Sequence, residues 1–163
     1  AEPIQDTSTF ACAADDLAAA DRAAPTGEPD ALVTLPASST ALCVPSASEL
    51  CVADRFRISV HYETTQGGGF AGNGHAVNLD ALGVGRGGLF WFFGANNPEM
   101  LVKVLDGCGV NGHFWVFASA GTSVGLEVTI EDLVTGATRS YTNPDRNPAR
   151  PVQDTSALPC QGD

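Results

Sequence analysis

Lysine is almost missing from this 163-residue chain. Lys103 stands alone, and with seven arginines it faces 19 acidic side chains, for a formal net charge of −11. A surface this acidic repels phosphate backbones and anionic lipid, so neither nucleic-acid nor membrane-surface partners are expected. Long apolar runs are missing too. None approaches the roughly 20 residues that span a bilayer, and membrane insertion is not expected. The five cysteines include no CxxC pair, whereas structural zinc wants closely spaced thiolates. No metal and no cofactor are expected. An initiating methionine is also lacking. A chain that opens at Ala1 reads as a secreted protein after signal-peptide removal, or as a fragment cut from something longer.

What is present points to a globular domain. Hydrophobic residues make up 44% against 17% charged, and the length suits one domain with a proper core. The charge is uneven: residues 1–42 carry seven acids and one arginine, net −6, while 43–142 net −4 and the tail nets −1. Five cysteines beside abundant Thr, Ser, Gly and Asp fit an oxidising, extracellular setting.

The N-terminal 42 residues are rich in Ala, Pro, Asp and Ser. ADDLAAADRAA has an Asp-rich first turn suited to a short helix. PTGEPDALVTLPASS reads as an extended linker or strap. Residues 1–42 are thus an Ala/Pro-rich extension and 43–163 the folded domain. From Cys51 onward the texture changes. RFRISVHYE (55–63) alternates apolar Phe56, Ile58, Val60 and Tyr62 with polar neighbours, the pattern of a half-buried strand. GLFWFFG (88–94) and GHFWVFAS (112–119) read as apolar central strands covered on both faces, MLVKVLDG (100–107) as a third apolar strand carrying the lone lysine, and AVNLDAL (76–82) as a weaker one. VGLEVTIEDL, the turn at Thr135-Gly136 and ATRSYTN form a hairpin. Seven or eight close-spaced strands with almost no helix predict an all-β fold, an antiparallel β-sandwich.

Three motifs of catalytic type are outweighed by their context. GVGRGG (83–88) matches GxGxxG, but a strand follows it where a phosphate site needs a helix. GTSVG (121–125) would make Ser123 a nucleophile, yet LEVTIED follows and the motif reads as a hairpin loop. His61, His75 and His113 are spaced by 14 and 38 residues, which encodes no metal site, and read as surface or turn histidines. Asp106 and Asn111 lack the dense Asp-x-Asp run of a calcium cage. Trp91 and Trp115 read as core aromatics or as a platform for a glycan or a protein.

The runs FWFF (90–93), Asn97 and Glu99, VKVLDGC (102–108), FWVF (114–117), VTIEDLVTG (128–136) and YTNP (141–144) together resemble an uncharacterised module of predicted secreted bacterial proteins. The resemblance covers roughly residues 43–160. It implies an extracellular β-domain, used alone, in series or appended to other domains, and carries over no catalytic residue. QDTSA belongs at the C-terminal edge of modules of this look, as the last strand.

PIQDTSTFAC (3–12) and PVQDTSALPC (151–160) share six of ten residues in one register, 148 residues apart. Three readings stand. The chain is one unit of a tandem array that opens with its predecessor's tail; or the first copy is a strand donated to a neighbouring chain, giving a filament; or two Thr/Ser-rich ends are alike by chance. Under the second reading, Ile4, Thr7, Phe10 and Cys12 would take the places of Val152, Thr155, Leu158 and Cys160. Cys43 and Cys51 lie close enough for a local disulfide, and Cys108 can reach Cys160, leaving Cys12 over. Cys12 with Cys160 in one chain is a rival pairing. The expected function is non-catalytic: an extracellular structural domain that self-assembles with copies of itself or with neighbouring domains. The alternative is a module that binds a glycan or another surface protein.

Overall fold

A computed structural model describes residues 41–161, which lie in one compact unit, 39–163. Ten strands make two antiparallel sheets of five. The first runs β1 (Glu49–Val52), β2 (Phe56–Thr64), β8 (Gly125–Asp132), β9 (Thr138–Asn143), with β3 (Phe70–Asn73) extending the β1 flank of β2. The second runs β10 (Val152–Pro159), β7 (His113–Ala120), β6 (Met100–Gly107), β5 (Gly87–Trp91), β4 (His75–Asn78). One turn of helix, α1 (Cys108–Asn111), links β6 to β7. The fold is the expected all-β sandwich. The strand count exceeds seven or eight because ELCV and the glycine-rich stretch after Thr64 add short strands.

Alternation builds the core. Phe56, Ile58 and Val60 of β2 and Val128 and Ile130 of β8 meet Phe90, Val102, Val104, Phe114 and Val116 of the second sheet. Phe56 and Phe114 touch edge to face across the layers, 4.8 Å between centroids. The GVGRGG motif ends inside β5. A Cβ on Gly88 would lie 2.6 Å from Leu50 Cδ2, so Gly88 serves close packing of the layers.

Three local expectations are corrected. AVNLDAL stops as a strand at Asn78, whose side chain accepts from the Asp80 N–H and turns 80–82 into a 3-10 turn. GTSVG is not a hairpin loop. β7 lies in the second sheet and β8 in the first, so residues 121–124 cross between layers, with Val124 buried and the Ala149 N–H bonded to the Thr122 carbonyl. The aromatic strands are covered on their inner faces alone among the described residues. Phe114, Val116 and Ala118 point into the core, while Trp115 and Phe117 remain half-exposed on the outer face.

A buried ion pair ties the layers at one end. Asp132, fully buried, receives both Nε (2.7 Å) and an Nη (2.6 Å) of Arg55, together with the Val134 N–H and the Thr135 hydroxyl. The Arg55 guanidinium lies 4.4 Å over the Phe114 ring of the opposite sheet and also donates to the Cys160 carbonyl.

Candidate functional site

The segment 151–160 forms the edge of the second sheet, and its contacts give side-chain roles to three of the six residues it shares with 3–12, Asp154, Ser156 and Cys160. Val152, Gln153 and Asp154 pair with Ala118, Phe117 and Val116 of β7; the ladder then breaks and resumes at Leu158 opposite Phe114. Asp154 makes that break. Its Oδ1 accepts from the Ser156 N–H at 2.9 Å and from the Ser156 hydroxyl at 3.3 Å, a local turn that lifts Thr155 and Ser156 off the ladder. Its Oδ2 faces the other layer, accepting the Tyr141 hydroxyl at 2.9 Å and Arg139 at 3.0 and 3.1 Å. One carboxylate thus shapes β10 and clasps it to β9.

Electrostatics follow from this geometry. Burial pushes the Asp154 carboxyl up, but the Ser156 N–H, Tyr141 and Arg139 outweigh it and hold the group below its ordinary value. Burial first, and the Asp154 bond second, push Tyr141 up to about 12. The clasp is therefore a neutral phenol donating to a charged carboxylate.

Beyond the turn, the Asn111 amide donates to the Thr155 carbonyl at 2.7 Å while its oxygen accepts from Trp115 Nε1 at 3.0 Å. Ala157 and Leu158 then enter the core, Leu158 at 1% exposure. Cys160 bonds through its N–H to the Gly112 carbonyl and through sulfur to Cys108. A second disulfide joins Cys43 to Cys51. Both expected pairings are present, and Cys108 takes the partner that the rival scheme assigned to Cys12. Ile4, Thr7, Phe10 and Cys12 themselves lie outside the described residues, as does all of the extension 1–42 except residues 41 and 42.

Of the shared positions, Asp154, Ser156 and Cys160 make side-chain contacts that define the berth, and Thr155 lends its carbonyl. The berth's own groups, Arg139, Tyr141, Asn111 and Arg55, escape sequence reasoning. They sit on other strands, and only the fold brings them to Asp154, Thr155 and Cys160.

The outer face of the second sheet carries the two tryptophans. The rings of His75 and Trp91, paired across β4 and β5, stack at 3.8 Å and 7°. Trp115 covers Gly107, where a Cβ would collide with its indole. Between them run Leu89, Leu101, Lys103, Leu105 and Phe117, with Lys103 Nζ 5.1 Å over the Phe117 ring. His61 contacts Asn73 and His113 donates to the Asn111 carbonyl, so the three histidines serve three separate neighbourhoods and none bonds to Ser123 among the described residues. Asp106, Cys108 and Cys160 come within 4.8 Å of one another, but both sulfurs are spent in the disulfide. No helix among the described residues is long and apolar enough to cross a membrane. Comparison with known protein families, curated proteins and solved structures finds no match for this chain.

Proposed function

We propose that this protein is a non-catalytic extracellular cohesion domain whose copies join through the PxQDTS segment. One chain's residues 3–12 occupy in a neighbour the berth that 151–160 holds here, and repetition head to tail yields a filament. The observation that carries this reading is the Asp154 clasp. The residues repeated at the N-terminus include those that make the side-chain contacts of an edge strand: the carboxylate bound by Arg139 and Tyr141, the serine of the turn and the cysteine of the staple. Edge strands are natural points of strand addition and exchange. Two disulfides fit an oxidising compartment. Removal of residues 1–12 should abolish species larger than a monomer in size-exclusion chromatography with light scattering. Unchanged assembly would refute the reading. A tandem array with the same segment linking consecutive units uses the same berth and differs only in covalent continuity.

The outer sheet face supports a second reading, binding of a neutral glycan or a protein. Leu101, at 45% exposure, shares with Leu89, Leu105 and Phe117 the face that carries Trp91 and Trp115, with Lys103 among them, an arrangement suited to stacking. Glycan-array binding that survives Trp115→Ala and Trp91→Ala in folded protein would dispose of it.

A further inference from the structure

In the folded chain the berth is already filled, and its occupant is stapled through Cys108–Cys160. We infer that a second copy enters by thiol–disulfide exchange at Cys108, its residues 3–12 replacing 151–160. This step rests on the strand-donation reading above.

The resident strand states what the berth requires. It wants a carboxylate between Arg139 and Tyr141, a hydroxyl two residues on, and a sulfur within reach of Cys108. Asp6, Ser8 and Cys12 supply these at the same spacings. Where the copies differ, the fit is uneven. Val152 becomes Ile4, and a cavity of about 40 Å³ beside Val152, lined also by Met100, Leu126 and Tyr141, has room for the added methylene. Ala157 and Leu158, both buried, become the bulkier Thr9 and Phe10, and overfilling a packed core is unfavourable. The visitor thus satisfies the polar clasp yet packs less well than the resident. It seats only where the resident is released.

The staple sets that condition. Cys108 and Cys160 are each only partly buried, packed against the rim of the core, so the disulfide is not sealed inside it. Cys12 Sγ attacks Cys108 Sγ. The Cys12–Cys108 bond forms as Cys108–Cys160 breaks, and the electron pair departs on Cys160 Sγ, which takes a proton from water. The exchange is redox-neutral and needs no oxidant or reductant. The released Cys160 stays a thiol, and growth continues through the acceptor's own Cys12. Asp106, its carboxylate within 4.8 Å of both sulfurs, opposes the developing thiolate and slows the step.

The test is incubation of the full oxidised chain near pH 8, roughly where thiols begin to ionise, followed by non-reducing electrophoresis and mass mapping. Expected are covalent multimers linked Cys12–Cys108 with a matching Cys160 thiol, and none in Cys12→Ser. Asp6→Ala should slow their formation by about tenfold, the effect of losing a charged hydrogen-bond set. Thr9→Ala with Phe10→Leu should speed it by about tenfold, relieving the overpacking at both positions, and Asp106→Asn should also speed it. Multimers linked Cys12–Cys12, or a Cys12 paired within its own chain, would overturn the proposal. Assembly lost on removing residues 1–12 but unchanged in Cys12→Ser refutes the exchange and leaves strand donation standing. Assembly indifferent to residues 1–12 refutes both.

Discussion

The Tyr141 hydroxyl donates to Asp154 at 2.9 Å, joining the edge strand of one sheet to the edge strand of the other. Tyr141→Phe leaves the carboxylate with Arg139 and the Ser156 N–H, so the loss should be about 1–2 kcal/mol, near the value of a hydrogen bond to a charged group. A urea titration should show a lower midpoint with an unchanged slope.

The same tyrosine sets an alkaline limit. Its pKa is raised to about 12 in the folded protein, against about 10 unfolded. A raised value means that the folded state holds the proton more tightly. The contribution is fully present below about pH 10 and is lost as pH rises toward about 12. Stability followed by urea across that window should fall more steeply in wild type than in Tyr141→Phe.

Acid should loosen the ion pair and the loop ties. Burial pushes Asp132 up, but Arg55, the Val134 N–H and the Thr135 hydroxyl overcome it and leave the carboxyl below its ordinary value. The Thr65 N–H and hydroxyl bring Asp145 down to about 2. Lowered folded values give stability that is present above about pH 4, the ordinary carboxyl range, and is lost as pH falls through the folded values. Arg55→Leu, which leaves Asp132 buried without its cation, should cost about 3–5 kcal/mol at neutral pH and flatten the acid limb of a thermal-melt profile.

The two staples should differ in worth. Cys108–Cys160 spans a sequence separation of 52 and Cys43–Cys51 one of 8. Loop-closure entropy puts their contributions at about 4 and about 2.5 kcal/mol. Double serine variants of each pair, compared by thermal melting, should rank in that order.

Gly107→Ala should dislodge the Trp115 indole, which occupies the space of the missing Cβ, and break the Nε1 bond to Asn111. Tryptophan fluorescence should report a more exposed indole. β10, losing its Asn111 tie at Thr155, should exchange its amide hydrogens faster.

The sandwich was legible because alternation in RFRISVHYE and VGLEVTIEDL has one physical outcome, a strand with one buried face. Cys43–Cys51 is legible from proximity along the chain, whereas Cys108–Cys160 is one of two pairings for Cys160 that the sequence leaves open. Layer assignment was not. Nothing local distinguishes a hairpin loop from a crossing, so GTSVG reads as a hairpin loop although it passes from one sheet to the other. FWVF looked doubly covered because hydrophobic side chains on both faces signal burial on both, whereas Trp115 and Phe117 lie half-exposed outside. The berth showed only its repeated half. Its complement on Arg139, Tyr141 and Asn111 depends on pairings that no short window contains.

In a molecule that keeps both staples, the placement of the disulfides also decides how the chain carries tension. Pull arriving at Cys43 passes through sulfur into β1 at Cys51, and pull on the C-terminal end passes from Cys160 into Cys108 at the end of β6. Residues 44–50 and 109–159 are short-circuited. The edge strand β10 is never peeled by a load on its own terminus, and the strain falls on the stretch from Cys51 to Cys108.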